Sequence, residues 1–328
     1  MGKFLGYHKP KAVAKPLISE SRTANSVAGV DLMAIEAPSH NQWWGVWDQF
    51  KTHRGALAGA TVLSLIVIGV IFGPYVWRLS PAYIDFTAMN TGPSWTHPFG
   101  TDQLGRDLLA RMMTGGRISI AVGFTAMIIS IFIGTLVGVL AGYFKSLDGS
   151  LMRLTDLFLS LPVLPLLLVA VMLFRDTMAS IFGSYLGIFI LIVSATGVTS
   201  WMQAARIIRG EVLAVKQREF VLASYSIGTP PRRIILRHVL PNVMSPIIVS
   251  ATLGVATAII SESVLSFLGM GFPPDVPTWG RLLYDGIDQI QGYPQLVLWP
   301  GIAISLTVLS VNYIGDGLRD ALDPRLRP

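Results

Sequence analysis

The chain has 328 residues, of which 52% are hydrophobic and only 13% are charged. This balance lies far outside the composition of soluble globular domains and predicts an integral membrane protein. Cysteine is absent, which excludes a disulfide framework, a thiolate zinc site and a cysteine nucleophile. The formal net charge is +6, but most basic residues flank apolar segments instead of forming one stripe. That distribution does not indicate nucleic-acid binding.

The N-terminal region, residues 1–55, precedes the first apolar segment. It is polar and without sustained periodicity up to about Ser39, so we expect it to be poorly ordered. Trp43, Trp44, Trp47 and Phe50 then recur at helical spacing. This pattern predicts a short helix at about 41–54 that lies in the cytoplasmic membrane interface, where indole rings are favoured. An aromatic belt without a distinct helix is the alternative.

Six apolar stretches are long enough, or nearly so, to cross a hydrocarbon core of roughly 30 Å as helices. None of them contains Asp, Glu, Lys or Arg. The predicted fold class is therefore all-α integral membrane, with a transmembrane domain over 56–316 and a C-terminal tail over 317–328. The predicted spans cover residues 56–77, 118–144, 157–174, 178–205, 240–261 and 296–314.

The basic residues predict the direction of these spans. With six spans, both termini lie on the same side of the membrane. The regions on that side hold 19 of the 25 Lys and Arg residues, and the opposite side holds 6. The positive-inside rule then places both termini in the cytoplasm. Within the second span, Gly134, Gly138 and Gly142 stand four apart, which predicts a face for close helix packing.

The long charged loop between the fourth and fifth spans, residues 206–239, carries the strongest pattern. Helix formers from Glu211 to Ser226 are followed by Gly228 and two prolines, and then by a second amphipathic run. The pattern predicts a helix, a sharp turn and a helix, exposed to the cytoplasm. Small residues such as Ala223 and Ser224 let the surface of a partner approach closely.

Four residues of this loop match a known motif at the right spacing. Ala223, Gly228, Leu240 and Pro241 resemble the sequence Glu-Ala-Ala, three residues, Gly, nine residues, Ile-x-Leu-Pro. That motif belongs to the membrane subunits of binding-protein-dependent ABC importers.

The loop also resembles one branch of that family. Leu222, Ser224 and His238 depart from the general motif at its Glu, second Ala and Ile positions. The runs EFVLA from Glu219 and RHVLPN from Arg237 look like the variant of the dipeptide, oligopeptide and nickel branch. The chain is thus similar to a C-type permease subunit of that branch.

Further segments agree with the same subunit in order and spacing. They are HPFGTDQLGRD from His97, LSFLGMGFPP from Leu265, WG from Trp279, and GLRDALDPRL from Gly317. Together with the loop they extend the resemblance over most of the chain after residue 95.

The resemblance implies a type I ABC importer permease in a prokaryotic plasma (inner) membrane. The implied partners are a homologous permease subunit, two ATP-binding cassette ATPases and an extracytoplasmic solute-binding protein. Di- or oligopeptides are the expected solute, and nickel is the alternative within the family. An ion-coupled secondary transporter is the rival class, but it predicts ionisable residues within the spans.

No cofactor is expected in this chain. It has no Gly-x-x-x-x-Gly-Lys-Ser/Thr phosphate loop, so ATP and Mg are expected to bind to the partner ATPases. The five His residues are scattered and never take a ligand spacing, so no metal site is expected. The chain is therefore predicted to be a membrane subunit and not itself an enzyme.

The candidate site residues fall into two groups. Those expected to couple to the ATPases lie in the first half of the turn region, and those expected to support the loop follow it. The coupling residues are Glu219, Phe220, Ala223, Ser224, Tyr225, Gly228 and Thr229, and the support residues are His238, Leu240, Pro241 and Asn242.

On the opposite side, Asp102, Arg106 and Asp107 form either a charge-satisfied loop or a docking surface for the binding protein. Asp102 and Arg106 are spaced to pair at i,i+4 if the loop is helical. Glu262 is expected near the outer end of span five, where it orients the next segment or serves the pathway. Phe267 joins these residues as a candidate for the outer gate. The apolar segment 264–277 is a short re-entrant turn or a plain loop.

Overall fold

The computed structural model describes residues 42–322, and nearly all regular structure in that range is helical. The predictions for the tail up to Ser39 and for residues 323–328 lie outside the described residues. Six helical segments are long and apolar enough to cross a membrane, which confirms the all-α membrane fold class. These segments are Arg54–Val76, Leu108–Tyr143, Val163–Phe182, Ser184–Lys216, Met244–Phe267 and Gln295–Leu322.

The first two helices are separated by a histidine. Helix α1 (Gln42–Thr52) ends one residue before His53, whose Nδ1 accepts the N–H of Ala56 at 3.0 Å and caps α2 (Arg54–Val76). On α1, Phe50 is buried against Ala56.

The second span begins earlier than the sequence predicts. Helix α3 (Leu108–Tyr143) starts at Leu108 instead of near residue 118. Asp107 caps it by accepting the N–H of Ala110 at 2.8 Å. Hydropathy places the start too late because the first turns carry Arg111, which is buried in protein contacts instead of lipid.

The third and fourth spans are displaced from their predicted positions. Residues 145–160 form a separate amphipathic helix, α4 (Lys145–Ser160), and Pro162 then precedes the first residue of α5 (Val163–Phe182). Gly183 adopts φ 82°, a left-handed conformation that separates α5 from α6 (Ser184–Val198). Helix α7 (Trp201–Lys216) follows after a short break and extends past the predicted end of span four, at residue 205, into the predicted loop.

Short helices connect α7 to the fifth span. They are α8 (Glu219–Ser226), α9 (Pro231–Ile234), a π-helical turn (Ile235–Val239) and α10 (Leu240–Asn242).

The last three helices complete the bundle. Helix α11 (Met244–Phe267) is followed by the short α12 (Trp279–Ile287) and by α13 (Gln295–Leu322). Helix α13 extends past the predicted end of span six at residue 314 into the region predicted as a tail. It does so because Gly317 and Ala321 pack against the start of α2.

Helix α3 lies at the centre and packs against α2, α6, α7 and α11. Its contact with α7 runs along the predicted glycine face. A Cβ atom on Gly134 would lie 2.9 Å from the carbonyl oxygen of Trp201, and one on Gly142 would lie 2.7 Å from the Cβ of Val212. Both glycines are buried. The packing role predicted for this face is confirmed, since only glycine leaves room for the backbone of α7.

We predict that Gly138→Leu destabilises the bundle. An added Cβ would lie 2.7 Å from the carbonyl oxygen of Ala205 and 2.9 Å from the Cβ of Ile208. Overpacking of this kind costs about 1–3 kcal/mol. Gly69→Leu is the matched control, because nothing lies within 4 Å of a Cβ at that position in α2. The measurement is the midpoint of thermal unfolding in detergent, and equal midpoints for both variants would contradict the prediction.

Candidate functional site

The turn after α8 ends the helix with a Schellman motif. The N–H of Gly228 donates to the carbonyl oxygen of Tyr225 at 3.0 Å, and the N–H of Thr229 donates to that of Ser224 at 3.2 Å. Gly228 has φ 77°, the left-handed conformation that its position in the sequence predicts. We call residues 219–229 the α8 turn.

One face of α8 anchors the turn to the bundle. Val221 is 3% exposed and shares an apolar cluster with Ile234 and Val239 from the connecting helices and with Ile208 and Val212 from α7. This cluster also includes residues of α3, so the α8 turn contacts α7 and shares one apolar cluster with α3 and α7.

Several apolar side chains of α8 and of its C-cap residue are exposed. Tyr225 is 72% exposed, Ile227 is 83% exposed and Leu222 is 53% exposed, and Phe220 is partly exposed on the same short helix. Neighbouring exposed apolar residues of this kind mark an interaction surface. Sequence reasoning missed Leu222, Ile227 and the 66% exposed Leu236. The signal was present, since an eight-residue helix with apolar residues on all sides cannot bury them all.

Two of the three residues that depart from the general motif, Ser224 and His238, lie next to each other. Ser224 Oγ lies 3.3 Å from His238 Nε2, and the His238 ring lies 6.1 Å from that of Phe220 between centroids. Asn242 Nδ2 donates to the carbonyl oxygen of His238 at 2.7 Å. These contacts link α8 to the π-helical turn and α10. The remaining predicted loop residues lie around this link, with Glu219, Ala223 and Pro241 exposed and Thr229 and Leu240 half-buried.

Ion pairs fix α7 against α4 at the same end of the bundle. Arg209 donates two hydrogen bonds to the carboxylate of Asp148, at 2.5 and 2.7 Å. These bonds hold the pKa of Asp148 below its usual value, because they stabilise the ionised carboxylate. Arg206 of α7 also forms an ion pair with Asp156 of α4. Lys216 Nζ donates to the carbonyl oxygen of Tyr143 at 2.6 Å, which ties the end of α7 to the end of α3.

A second group of charges lies at the other end of α3. Asp102 Oδ2 accepts from Arg106 Nε at 2.7 Å and from Arg111 Nη1 at 2.5 Å. Asp285 on α12 accepts from Arg111 Nη2 at 3.3 Å and from Arg281 Nε at 2.9 Å. We call these five residues the Arg111 cluster. Arg111 is 1% exposed, and its burial is compensated by the two carboxylates.

The loop that holds Asp102 is a tight turn and not a helix. Asp102 Oδ1 accepts the N–H groups of Leu104 and Arg106, both at 2.9 Å, and Gly105 adopts φ 74°. The i,i+4 pair of Asp102 and Arg106 thus forms without the helix that the spacing required. Asp107 is 4% exposed and accepts from Trp77 Nε1 at 2.9 Å, besides lying 2.9 Å from His97 Nδ1.

A cavity of about 320 Å³ opens beside the Arg111 cluster. Four residues of the cluster line it, and so do Tyr284, Asp288 and Leu104. Asp102 and Asp107 are themselves buried, so they shape the loop around this cavity, and the more exposed Tyr284 and Asp288 form its accessible rim.

Glu262 lies in the last turns of α11 and is fully buried. Its Oε2 accepts from Ser119 Oγ of α3 at 3.0 Å, and its Oε1 accepts from Ser266 Oγ at 2.7 Å. Ser119 Oγ in turn accepts the N–H of Trp279 at 3.2 Å. Glu262 therefore orients the start of α12 through Ser119, a contact that the sequence alone does not reveal.

The segment after α11 packs against the bundle. Phe267 is 38% exposed at the end of α11, and the chain then turns at Gly269, whose φ is 78°. Arg175 Nη1 donates to the carbonyl oxygen of Met270 at 3.1 Å. Trp279 is buried, and its Nε1 donates to the carbonyl oxygen of Met112 at 3.1 Å. Residues 264–267 are thus helical, and the rest of segment 264–277 is a loop that leads into α12.

Over residues 42–322, no group of three or more His, Asp or Glu side chains is placed to hold a metal ion.

The fold defines a multi-pass helical membrane protein, and comparison with known families defines its class. Residues 130–328 match the family described as binding-protein-dependent transport system inner membrane component. Residues 41–93 match the N-terminal transmembrane domain of oligopeptide transport permease C. Because the first match covers more than half of the chain, the chain belongs to the family of inner membrane components of binding-protein-dependent transport systems. The resemblance carried by the loop motif is confirmed.

Individual relatives cover nearly the whole chain. The oligopeptide transport system permease protein OppC of Bacillus subtilis is 35% identical over 90% of this chain and 94% of its own. The OppC protein of Haemophilus influenzae is 38% identical over 91% and 93%. The dipeptide transport system permease protein DppC of Alkalihalophilus pseudofirmus is 36% identical over 96% and 98%.

A solved structure has the same fold. A chain of the MetNI methionine ABC transporter in inward-facing conformations aligns with a TM-score of 0.52 at 18% identity, covering 64% of this chain and 95% of that chain. The family match and the permease relatives, together with this shared fold, make the chain a multi-pass permease component of an ABC importer.

We predict that Arg111→Met strongly destabilises the protein. The substitution leaves the carboxylates of Asp102 and Asp285 without their shared partner, and loss of one member of a buried ion pair costs about 3–5 kcal/mol. Arg78→Met is the control, because Arg78 is exposed. Thermal unfolding in detergent measures the difference. An Arg111→Met variant as stable as the Arg78→Met variant would show that the cluster does not hold this end of the bundle.

Proposed function

We propose that this chain is the permease subunit of an ATP-driven importer of di- or oligopeptides. The exposed apolar side chains of the α8 turn, whose Val221 shares an apolar cluster with α3 and α7, are the observation that carries the proposal. The chain would form the translocation path together with a homologous permease subunit.

The α8 turn is the contact with the ATPases in this proposal. Tyr225 and Ile227 supply apolar area that is lost from water when a partner covers them. Ala223 is exposed beside them and leaves space for close approach. Movement of the ATPases would displace α8, and the apolar cluster around Val221 would pass the displacement to α7 and α3.

Two ATPase subunits bind ATP and Mg in this account. The sequence of this chain contains no Gly-x-x-x-x-Gly-Lys-Ser/Thr run to hold phosphates. Hydrolysis therefore belongs to other subunits, and this chain contributes the path and the force-bearing contact.

An extracytoplasmic binding protein docks at the opposite end of α3. The Arg111 cluster fixes the loop and α12 there, and Tyr284 and Asp288 are exposed at the rim of the adjoining cavity. The 19 to 6 distribution of basic residues supports the orientation in which this end faces outward and both termini face the cytoplasm of a prokaryotic inner membrane.

Peptides are the proposed solute on the strength of the relatives. The relatives described above are named as oligopeptide and dipeptide permeases. That agreement favours peptides over nickel.

Coupling is tested by Ala223→Arg in the assembled complex. A long charged side chain on the exposed face of α8 should prevent the ATPase from seating, because the guanidinium would have to be desolvated in an apolar contact. We expect uptake of trialanine to fall at least tenfold and the ATPases to co-purify poorly, with unchanged expression of this chain. Ala82→Arg, the same change at an exposed position of the opposite loop, should leave both unaffected. Normal uptake by the Ala223→Arg complex would overturn the proposed contact.

A further inference from the structure

A second cavity, of about 190 Å³, lies within the membrane-spanning part of the chain, between α3, α7, α11 and the junction of α4 and α5. Most of its lining is apolar, but hydrogen-bonding side chains from α3, α7, α11 and the junction of α6 and α7 also line it. We call the following six residues the polar face: Ser130, Thr199, Gln203, Ser250, Thr257 and Ser261.

Three residues of the polar face bring uncharged polar groups to the cavity. Ser130 is 6% exposed and lines it. Gln203 adds an amide to the lining and Ser250 adds a hydroxyl. Amides and hydroxyls both donate and accept hydrogen bonds, so these side chains are suited to meet a polar group that enters the cavity.

The other hydroxyls keep acceptor sites available. Thr257 Oγ1 donates to the carbonyl oxygen of Leu253 at 3.1 Å, and Ser261 Oγ donates to that of Thr257 at 2.9 Å. Thr199 Oγ1 donates to the carbonyl oxygen of Ala195 at 2.8 Å. Each of these hydroxyls donates its proton to a carbonyl oxygen four residues earlier in the chain. Its oxygen retains lone pairs that can accept a hydrogen bond from another donor.

The polar face differs from the exposed faces of the other spans. Exposed residues on α2 include Leu65 and Phe72, those on α3 include Phe132, and those on α5 include Leu173. Large apolar side chains of this kind suit contact with lipid, where each polar group is unfavourable. The exposed amide of Gln203 is unfavourable against lipid, and it lies beside the exposed Ile207 and Leu253 of the same cavity.

We propose that the polar face lines the translocation path and forms hydrogen bonds with the main chain of the transported peptide. This inference rests on the proposed function and names the part of the chain that contacts the substrate. On α11, the step from Ser250 to Ser261 corresponds to about 16 Å, half of a hydrocarbon core of about 30 Å. No ionisable side chain lines the cavity. Neutral donors and acceptors match the amide groups that all peptides share and do not select among their side chains.

Cysteine labelling tests the environment of the polar face. The chain has no cysteine, so single Cys variants can be examined in the assembled complex in liposomes. The variants are Ser250→Cys and Thr257→Cys on the polar face, Phe132→Cys and Leu173→Cys on the apolar faces, and Ser94→Cys in an exposed loop as a positive control. The reagent is the water-soluble anion 2-sulfonatoethyl methanethiosulfonate, which reacts with thiolates and therefore needs water at the thiol.

We expect the polar-face cysteines to react at least tenfold faster than the apolar-face cysteines in the nucleotide-free or the vanadate-trapped complex. Reaction as slow as at Phe132→Cys and Leu173→Cys in both states overturns the proposal. In that outcome the face is covered by lipid or by a helix of the partner subunit. Labelling does not depend on any solute, so its outcome is separate from that of the proposed function.

Uptake of trialanine tests the hydrogen bonds. Gln203→Leu and Ser130→Ala remove polar groups with little change in volume, and each lost hydrogen bond should lower the rate of uptake roughly 2- to 10-fold. The amount of assembled complex that co-purifies and its midpoint of thermal unfolding serve as the controls for misfolding. Unchanged uptake in both variants overturns the hydrogen-bonding role even if the face is wet. If the unmodified complex does not take up trialanine while the polar face is labelled, the peptide assignment fails and the lining of the path stands.

Discussion

The close contact between α3 and α7 is the constraint on which the rest of the structure depends. In a membrane, helices gain little from hydrophobic association, so their backbones must approach closely enough for dense packing. Gly134, Gly138 and Gly142 permit this approach along α3. The position of α7 follows from this contact, and the position of α8 follows from that of α7 because both share the apolar cluster around Val221.

Helix α3 joins the two ends of the molecule. It begins beside the Arg111 cluster, where Asp102 and Asp285 compensate a buried guanidinium. It ends at Tyr143, whose carbonyl oxygen accepts from Lys216 at the end of α7. A helix of 36 residues is about 54 Å long at 1.5 Å per residue. A single rigid element therefore connects the candidate contact for the ATPases with the candidate contact for the binding protein.

The sequence predicts the fold where local chemistry determines it. Composition and six uncharged apolar runs predict the helical membrane class, and Gly228 before two prolines predicts the end of α8. Prediction from the sequence is less accurate where tertiary contacts determine where a helix begins. The start of α3 is missed because Arg111 is buried between the nearby Asp102 and Asp285, which is distant in sequence. The third span is misplaced because its predicted start lies within α4.

The candidate site shows the same division. Small and exposed residues of the α8 turn are recognisable from spacing, and so is the glycine at its end. The exposure of Ile227 and Leu236 depends on which face of α8 and of the π-helical turn meets α7, and the link between Glu262 and Trp279 passes through Ser119 of another helix. Neither relation is encoded in a local pattern, because each depends on how three helices pack.

Photo-cross-linking from Tyr225 tests the central claim that the α8 turn is the contact with the ATPases. Benzoylphenylalanine would replace Tyr225, which is 72% exposed on α8, and in a control it would replace Tyr313, which is 49% exposed on α13. The account predicts an adduct between this chain and an ATPase subunit from position 225 in the assembled complex, and none from position 313. Adducts from position 225 only with lipid, or only within this chain, would contradict the account.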